Sequence, residues 1–272
     1  MKQVFNLTNK YLILLTPLLL YSLFSSVYLA ASAVGGKYIN MIFAIVLFFF
    51  MTGAFIAGWF NMIKLAVAND IREDANSLIK EFPTGVGEYF LSSLGAMLNI
   101  LVFTIFMLII SFQLGMHFIG DIGISAEAFS KALESTAALK VFVASLTTEQ
   151  LSKLNSWNLN LLGSMTLTYF LVILYLPAIF FKSKNPFKAI LISLKDLFSK
   201  NFIRTLGVYS LIFVGNFIIS ILSAVFTGNV IMHFIVTLAN FYFITLAGLG
   251  IFYYYYNYFV KLQLGQNIDV KI

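Results

Sequence analysis

The chain has no cysteine, which excludes disulfides, thiolate metal sites and cysteine nucleophiles. Charge is nearly as scarce. Asp, Glu, Lys and Arg make up 10% of its 272 residues, where a globular domain carries about 25%. Too few charged groups remain to solvate a sphere of this size in water. With 60% hydrophobic residues and a mean hydropathy of +0.93, the natural solvent is lipid. The usual catalytic signatures are missing too. There is no His-Glu-x-x-His, no Gly-x-Ser-x-Gly and no phosphate-binding glycine loop. Gly163-Ser164 has no arranged base beside it. No acidic residue lies deep in an apolar run, which disfavours the carboxylate relay of a proton-coupled transporter. The expectation is a protein without catalysis, metal or cofactor of its own, in which any use of ATP belongs to a partner.

What the chain does have is long apolar runs. Six are of spanning length, at 12–33, 38–60, 90–112, 159–181, 203–226 and 230–256, each near the ~20 residues that cross hydrocarbon as a helix. All are too continuous for barrel strands, so the expected fold is an all-α polytopic bundle of six spans. The net charge of +6 then sorts by side. Lys2, Lys10, Lys64, Arg72, Lys80, Lys182, Lys184, Lys188, Lys195, Lys200, Arg204, Lys261 and Lys271 fall on one side of the membrane, and Lys37, Lys131, Lys140 and Lys153 on the other. The positive-inside rule puts both termini in the cytoplasm of a bacterial inner membrane. The positive excess predicts contact with anionic headgroups and no binding of nucleic acid. Lys2, Lys10 and Ala31-Ser32-Ala33 also resemble a signal peptide, but the apolar run is long for one and the next span follows almost at once.

The connections are unequal. Gly35-Gly36 and Thr227-Gly228-Asn229 read as tight turns. Residues 120–158 read as an outer helical cap, with Ser125 capping one helix ahead of Glu127 and Thr147 with Gln150 forming a capping box for a second. Phe129, Leu133, Ala137, Val141 and Leu146 are its expected apolar contacts. Two cytoplasmic segments are amphipathic at helical spacing. One carries Ile71, Ala75, Leu78, Ile79 and Phe82 against Arg72, Glu73, Asn76 and Lys80. The other carries Phe187, Ile190, Leu191, Leu194, Leu197 and Phe198 against Lys188, Lys195 and Lys200. They read either as interfacial elbows that aim the next span or as docking helices for a partner such as an ATPase, with Arg72, Lys80, Lys188 and Lys195 in contact. Asn9-Lys10-Tyr11, Glu88-Tyr89-Phe90 and Lys200-Asn201-Phe202 each precede a span, which suggests three repeated units over 1–66, 69–182 and 185–262.

Polar residues inside the spans mark helix contacts or a pathway. Asn216, Ser220, Ser223 and Thr227 share one helical face, as do His233, Thr237 and Asn240. Counted from the turn at Asn229, Asn216 and Asn240 lie at similar depth, so a hydrogen bond between them is expected. These faces are either polar glue in a hairpin or a polar cavity. His117, Asp121 and His233 are the residues from which a metal or pH-sensing cluster could be built, though no close spacing enforces one. Gly53, Ala54, Ala57 and Gly58 form a small-residue packing face. Pro17 and Pro177 are expected to kink their spans, and Tyr253–Tyr256 with Tyr258 and Phe259 form an aromatic belt.

The second half carries a resemblance. Leu176-Pro177, then Asn185-Pro186-Phe187-Lys188-Ala189-Ile190, Ser193 and Lys200-Asn201-Phe202 ahead of a long span resemble bacterial six-helix proteins related to the membrane domain of some glycerophosphodiester phosphodiesterases. The similarity covers about residues 170–260, and before that it is one of topology. It implies six helices and no enzymatic activity, since no phosphodiesterase domain is present. The expected role is an envelope accessory that binds membrane lipid or a partner membrane protein. The alternative is the membrane subunit of a peptide or lipid transporter driven by a separate ATPase.

Overall fold

The computed structural model describes residues 2–34, 38–68 and 75–261. Helix accounts for 89% of it and no strand occurs among the described residues. The chain divides into two compact units, one of Met1–Asn99 with Leu171–Ile272 and one of Ile100–Phe170. In order, the helices are α1 (Lys2–Lys10), α2 (Leu15–Val34), α3 (Tyr38–Ala68), α4 (Glu81–Phe118), α5 (Ala126–Ala132), α6 (Thr136–Ser145), α7 (Thr148–Val172), α8 (Tyr175–Phe181), α9 (Pro186–Leu197), α10 (Phe202–Val225) and α11 (Val230–Tyr255). Five helices are long and apolar enough to cross a membrane, and six if the bent pair at the N-terminus is one span. Arg72, Ile71 and Glu73 of the first amphipathic segment, and Gly35-Gly36 and Lys37, lie outside the described residues.

Several helices outrun the spans expected of them. At about 1.5 Å per residue α3 is about 46 Å long and α4 about 57 Å, well beyond ~30 Å of hydrocarbon. Their polar ends therefore reach past the apolar layer, and Lys64 is helical where a loop was expected. The fourth apolar run is broken into α7 and α8, with turns at 173–174. Pro177 is the cause, because it has no N–H for the carbonyl of Ile173. At the N-terminus, α1 was not expected at all. It meets the following helix at 74°. Val4, Thr8 and Tyr11 are buried, three residues at offsets 0, 4 and 7, so α1 lays one face on the unit. Pro17 lacks the N–H that would bond Ile13, which leaves the 3-10 turn Leu12–Leu14 between the two helices. The Trp59 indole donates to the Leu14 carbonyl at 2.9 Å and satisfies the break from outside.

An amphipathic helix, a bend and an apolar helix recur as α1–α2 and α9–α10. The second proposed unit, 69–182, departs from this order, since the 3-10 turn Ala75–Lys80 runs directly into α4.

In the second unit the sequence reading is corrected. The Thr147–Gln150 capping box forms, with Gln150 N donating to Thr147 Oγ1 at 3.2 Å and Thr147 N to Gln150 Oε1 at 3.1 Å. The helix it starts, however, is α7 itself, which continues unbroken to Val172. Only α5 and α6 remain as separate short helices, capped by Ser125 and Ser135. Their apolar residues form no core. Phe129, Leu133 and Val141 are exposed and only Ala132 is buried, because helices of 7 and 10 residues cannot enclose a centre. The loop before them is held by α7. Gly120 and Gly123, both at positive φ, offer carbonyls to the Trp157 indole at 3.0 Å and the Gln150 amide at 3.1 Å.

The small-residue face of α3 is a packing face. Ala57 is fully buried, and side chains on Gly53 and Gly58 would strike Leu94 and the Phe82 ring. From the facing helix, a Cβ on Gly85 would meet Asn61 and lie 2.8 Å from the Ala57 carbonyl, whereas Gly87 faces open space. Both glycines are helical, so alanine gains helix propensity at each. Gly85→Ala should nevertheless destabilise by about 1–3 kcal/mol through overpacking, while Gly87→Ala should not. Thermal unfolding in detergent checks this, and equal midpoints for the two variants would refute the close α3–α4 approach.

Candidate functional site

The face pairs expected to build a polar cavity do not converge. Asn216 and Ser220 are exposed on α10, Ser223 and Asn240 are half-buried, and His233 is exposed at the start of α11. Ser220 donates to the Asn216 carbonyl at 2.9 Å and Thr237 to the His233 carbonyl at 2.9 Å, so both hydroxyls close on their own helix. Among the described residues no hydrogen bond joins Asn216 to Asn240. No cluster of three or more His, Asp or Glu side chains capable of holding a metal occurs among them either. Asp121 accepts from Gly123 N at 3.1 Å in a local turn, and His117 meets Phe118 edge-on.

The polar groups of the first unit gather instead at one end of its helices. Asp196, on the buried face of α9 with Ala189, Ser193 and Leu197, accepts from Lys182 Nζ at 2.9 and 3.1 Å and from the Tyr255 hydroxyl at 2.6 Å. Tyr255 is fully buried, and the Lys182 ammonium stands 5.3 Å from its ring centre. Nearby on the same unit, Lys184 pairs with Glu88 at 2.8 Å and Lys64 donates to the Tyr89 hydroxyl at 2.9 Å. The Asn185 side chain caps α9 at 2.9 and 3.1 Å, with Pro186 in the first turn, where its missing N–H costs nothing. α9 was expected to be amphipathic, either as an interfacial elbow or as a docking helix. Its inner face is polar-centred, and Phe187, Leu191 and Phe198 point outwards together with Lys188 and Lys195. The physical reason is Asp196, whose pairing with Lys182 and Tyr255 fixes which side turns in. Lys80, of the other segment, is exposed.

Beside this layer lies a groove of about 430 Å³. α1 and α10 each pack on α11, and the groove runs between them. Its lining is graded along the helices. At one end stand Lys2, Gln3, Arg204 and the tyrosines 253, 254 and 258, and beyond them come Val208, Leu211, Phe243 and Leu246. Among the described residues no carboxylate lines it. From Phe243 to Tyr254 it follows α11 for about 16 Å, about half the ~30 Å of a hydrocarbon core.

The polar end is built with care for hydrogen bonds. The Tyr254 hydroxyl shares a 2.8 Å bond with Thr205, which is fully buried, and donates weakly to the Asn201 carbonyl. α1 is tied to α11 by the Tyr253 hydroxyl donating to Gln3 Oε1 at 2.5 Å and by Tyr242 donating to Asn9 Oδ1 at 2.8 Å. At Gly250 a Cβ would lie 3.7 Å from Val4, so α1 sits close there. The Arg204 guanidinium stacks on the Tyr258 ring at 4.5 Å. Arg204 and Lys2 are exposed and make no hydrogen bond or ion pair among the described residues.

Sequence reasoning missed this groove. It counted Lys2 and Arg204 only as charges that set the topology, and the tyrosines only as an interfacial belt. The available signal was the 0, 4, 7 pattern of Val4, Thr8 and Tyr11, which marks residues 2–10 as a helix with an inner face. Comparison with protein families, curated proteins and solved structures gives no match to this chain.

Two stability measurements follow from this geometry. Asp196→Leu should destabilise by about 3–5 kcal/mol, because it leaves Lys182 without its partner. The double variant Lys182→Met with Asp196→Leu should recover most of that loss, and no recovery in thermal unfolding would refute the pair as the reason for the cost. Asn216→Leu with Asn240→Leu should leave the midpoint unchanged or raise it, since neither amide has a partner to lose; a loss above about 1 kcal/mol would reinstate the interhelical bond.

Proposed function

We propose that this chain is a non-enzymatic, multi-pass protein of the bacterial inner membrane that binds lipid as an accessory of the envelope. The observation that carries the reading is the groove between α1, α10 and α11, polar and cationic at one end and apolar beyond it, about one leaflet deep in all. That gradient matches an amphiphile lying parallel to the helices, headgroup among Lys2, Arg204 and the tyrosines, and one acyl chain against Val208, Leu211, Phe243 and Leu246. The positive-inside distribution supports placing this end, and both termini, in the cytoplasm. The resemblance of residues 170–260 to the membrane domain of glycerophosphodiester phosphodiesterases agrees with a lipid-facing role without chemistry.

In this reading α9 is an interfacial elbow. Its outward Phe187, Leu191 and Phe198 enter the headgroup boundary, and Lys188 and Lys195 meet anionic lipid. The short helices α5 and α6 form the extracytoplasmic cap, and their exposed Phe129, Leu133 and Val141 rest on the outer leaflet.

A second reading rests on that same exposed face of α9, which offers a partner ATPase a docking helix and would make the chain a transporter subunit for peptide or lipid.

Purification in native lipid with mass spectrometry separates the two. The lipid reading expects about one tightly retained lipid per chain and no stoichiometric ATPase. Ala247→Trp, placed on the groove wall, should weaken retention by at least about tenfold, since excluding even two methylenes forfeits ~0.8 kcal/mol each. An ATPase at equal stoichiometry, with retention indifferent to Ala247→Trp, would replace this reading with the transporter one.

A further inference from the structure

Charge on the groove decides which lipid it can take. We infer that the groove between α1, α10 and α11 selects a phospholipid of net negative charge, holding its phosphodiester with Arg204 and Lys2. This inference rests on the reading of the groove as a lipid site.

Among the described residues the lining contains two cations and no anion. A zwitterionic lipid brings an ammonium together with its phosphate, and an ammonium beside Lys2 and Arg204 is repelled unless something offsets it. A carboxylate would do so, and none of the described residues supplies one to the groove. An open aromatic face would also serve. Two of the three tyrosines offer little of one: Tyr254 is 5% exposed with its hydroxyl on Thr205, and one face of the Tyr258 ring is covered by the Arg204 guanidinium at 4.5 Å. An anionic phosphodiester with a neutral polar headgroup leaves no such charge stranded.

The arginine also suits phosphate by shape. Stacking on Tyr258 holds the planar guanidinium in place, with its N–H groups in no hydrogen bond or ion pair among the described residues. It can therefore present two parallel donors to two phosphate oxygens without first losing much freedom. Lys2 adds a point charge from the opposite wall, and Thr205 and Asn201 beneath are already satisfied and do not compete.

The decisive experiment places the full chain in nanodiscs of phosphatidylcholine, phosphatidylethanolamine and phosphatidylglycerol in known ratio. Native mass spectrometry then reads the lipid retained by the wild type, Arg204→Gln, Lys2→Gln and Ala247→Trp. The expected result is phosphatidylglycerol enriched over its bulk fraction. Enrichment should fall roughly fivefold for each cation removed. Lys2 is exposed on a terminal helix, so its variant tests the inference even if Arg204→Gln folds poorly. Retention of one lipid in the bulk ratio by wild type would overturn the headgroup selection and leave the lipid reading standing. No retained lipid in wild type, indistinguishable from Ala247→Trp, would overturn both.

Discussion

The cost of leaving a charge in hydrocarbon arranges this protein. With so few ionic groups and such long apolar helices, each charge has to be carried to a helix end or be neutralised where it stands. Asp196 shows the second solution. It is buried, yet it receives two donors from Lys182 and a third from Tyr255, so no lone charge is enclosed. Because those donors come from the end of α8 and from α11, the same pairing locks α9 against both helices and fixes the side it turns inward. Breaking it would leave Lys182 with a charge and no partner, which is why one carboxylate determines the orientation of a whole amphipathic helix.

That dependence also explains what could be read from the sequence. The apolar runs were legible because the bilayer demands them, and the small face at Gly53, Ala57 and Gly58 was legible because close helix approach leaves that mark. The caps at Ser125 and Thr147 could be read from local chemistry alone. Helix phase was not. The aliphatic residues of α9 mark an apolar face by periodicity, but periodicity does not say whether lipid or protein covers that face. The one acidic residue decided the phase, and periodicity gives a single residue no weight. The same blindness affected the polar faces of α10 and α11: shared helical spacing places Asn216 with Ser220 and His233 with Thr237, but their hydroxyls find a partner one turn back in their own helix. Side chains able to satisfy themselves locally do not need to face a neighbour.

The groove was illegible for a different reason: a kink at Pro17 was expected, but not how far it turns the N-terminal segment or where that segment comes to lie. Pro17 deprives Ile13 of a donor, the helix tightens into Leu12–Leu14, and α1 leaves at 74° to lie across α11. Had the N-terminal segment continued straight, Lys2 would have been carried away from Arg204 and no wall would face α10. The break is tolerated because Trp59 repairs the exposed carbonyl of Leu14, so the geometry rests on a contact 45 residues distant in sequence.

The two ends of this arrangement have opposite requirements, and that difference favours a bound amphiphile over an accident of packing. Lys182, Lys184 and Lys64 are all committed to protein partners. Arg204 and Lys2, on the groove, have none among the described residues, although Tyr258 is spent on positioning the arginine and Gln3 on holding α1 in place. On the proposed reading, the two cations left open at the slot meet the negative charge of a lipid, and the apolar lining beyond them takes the acyl chain that carries it.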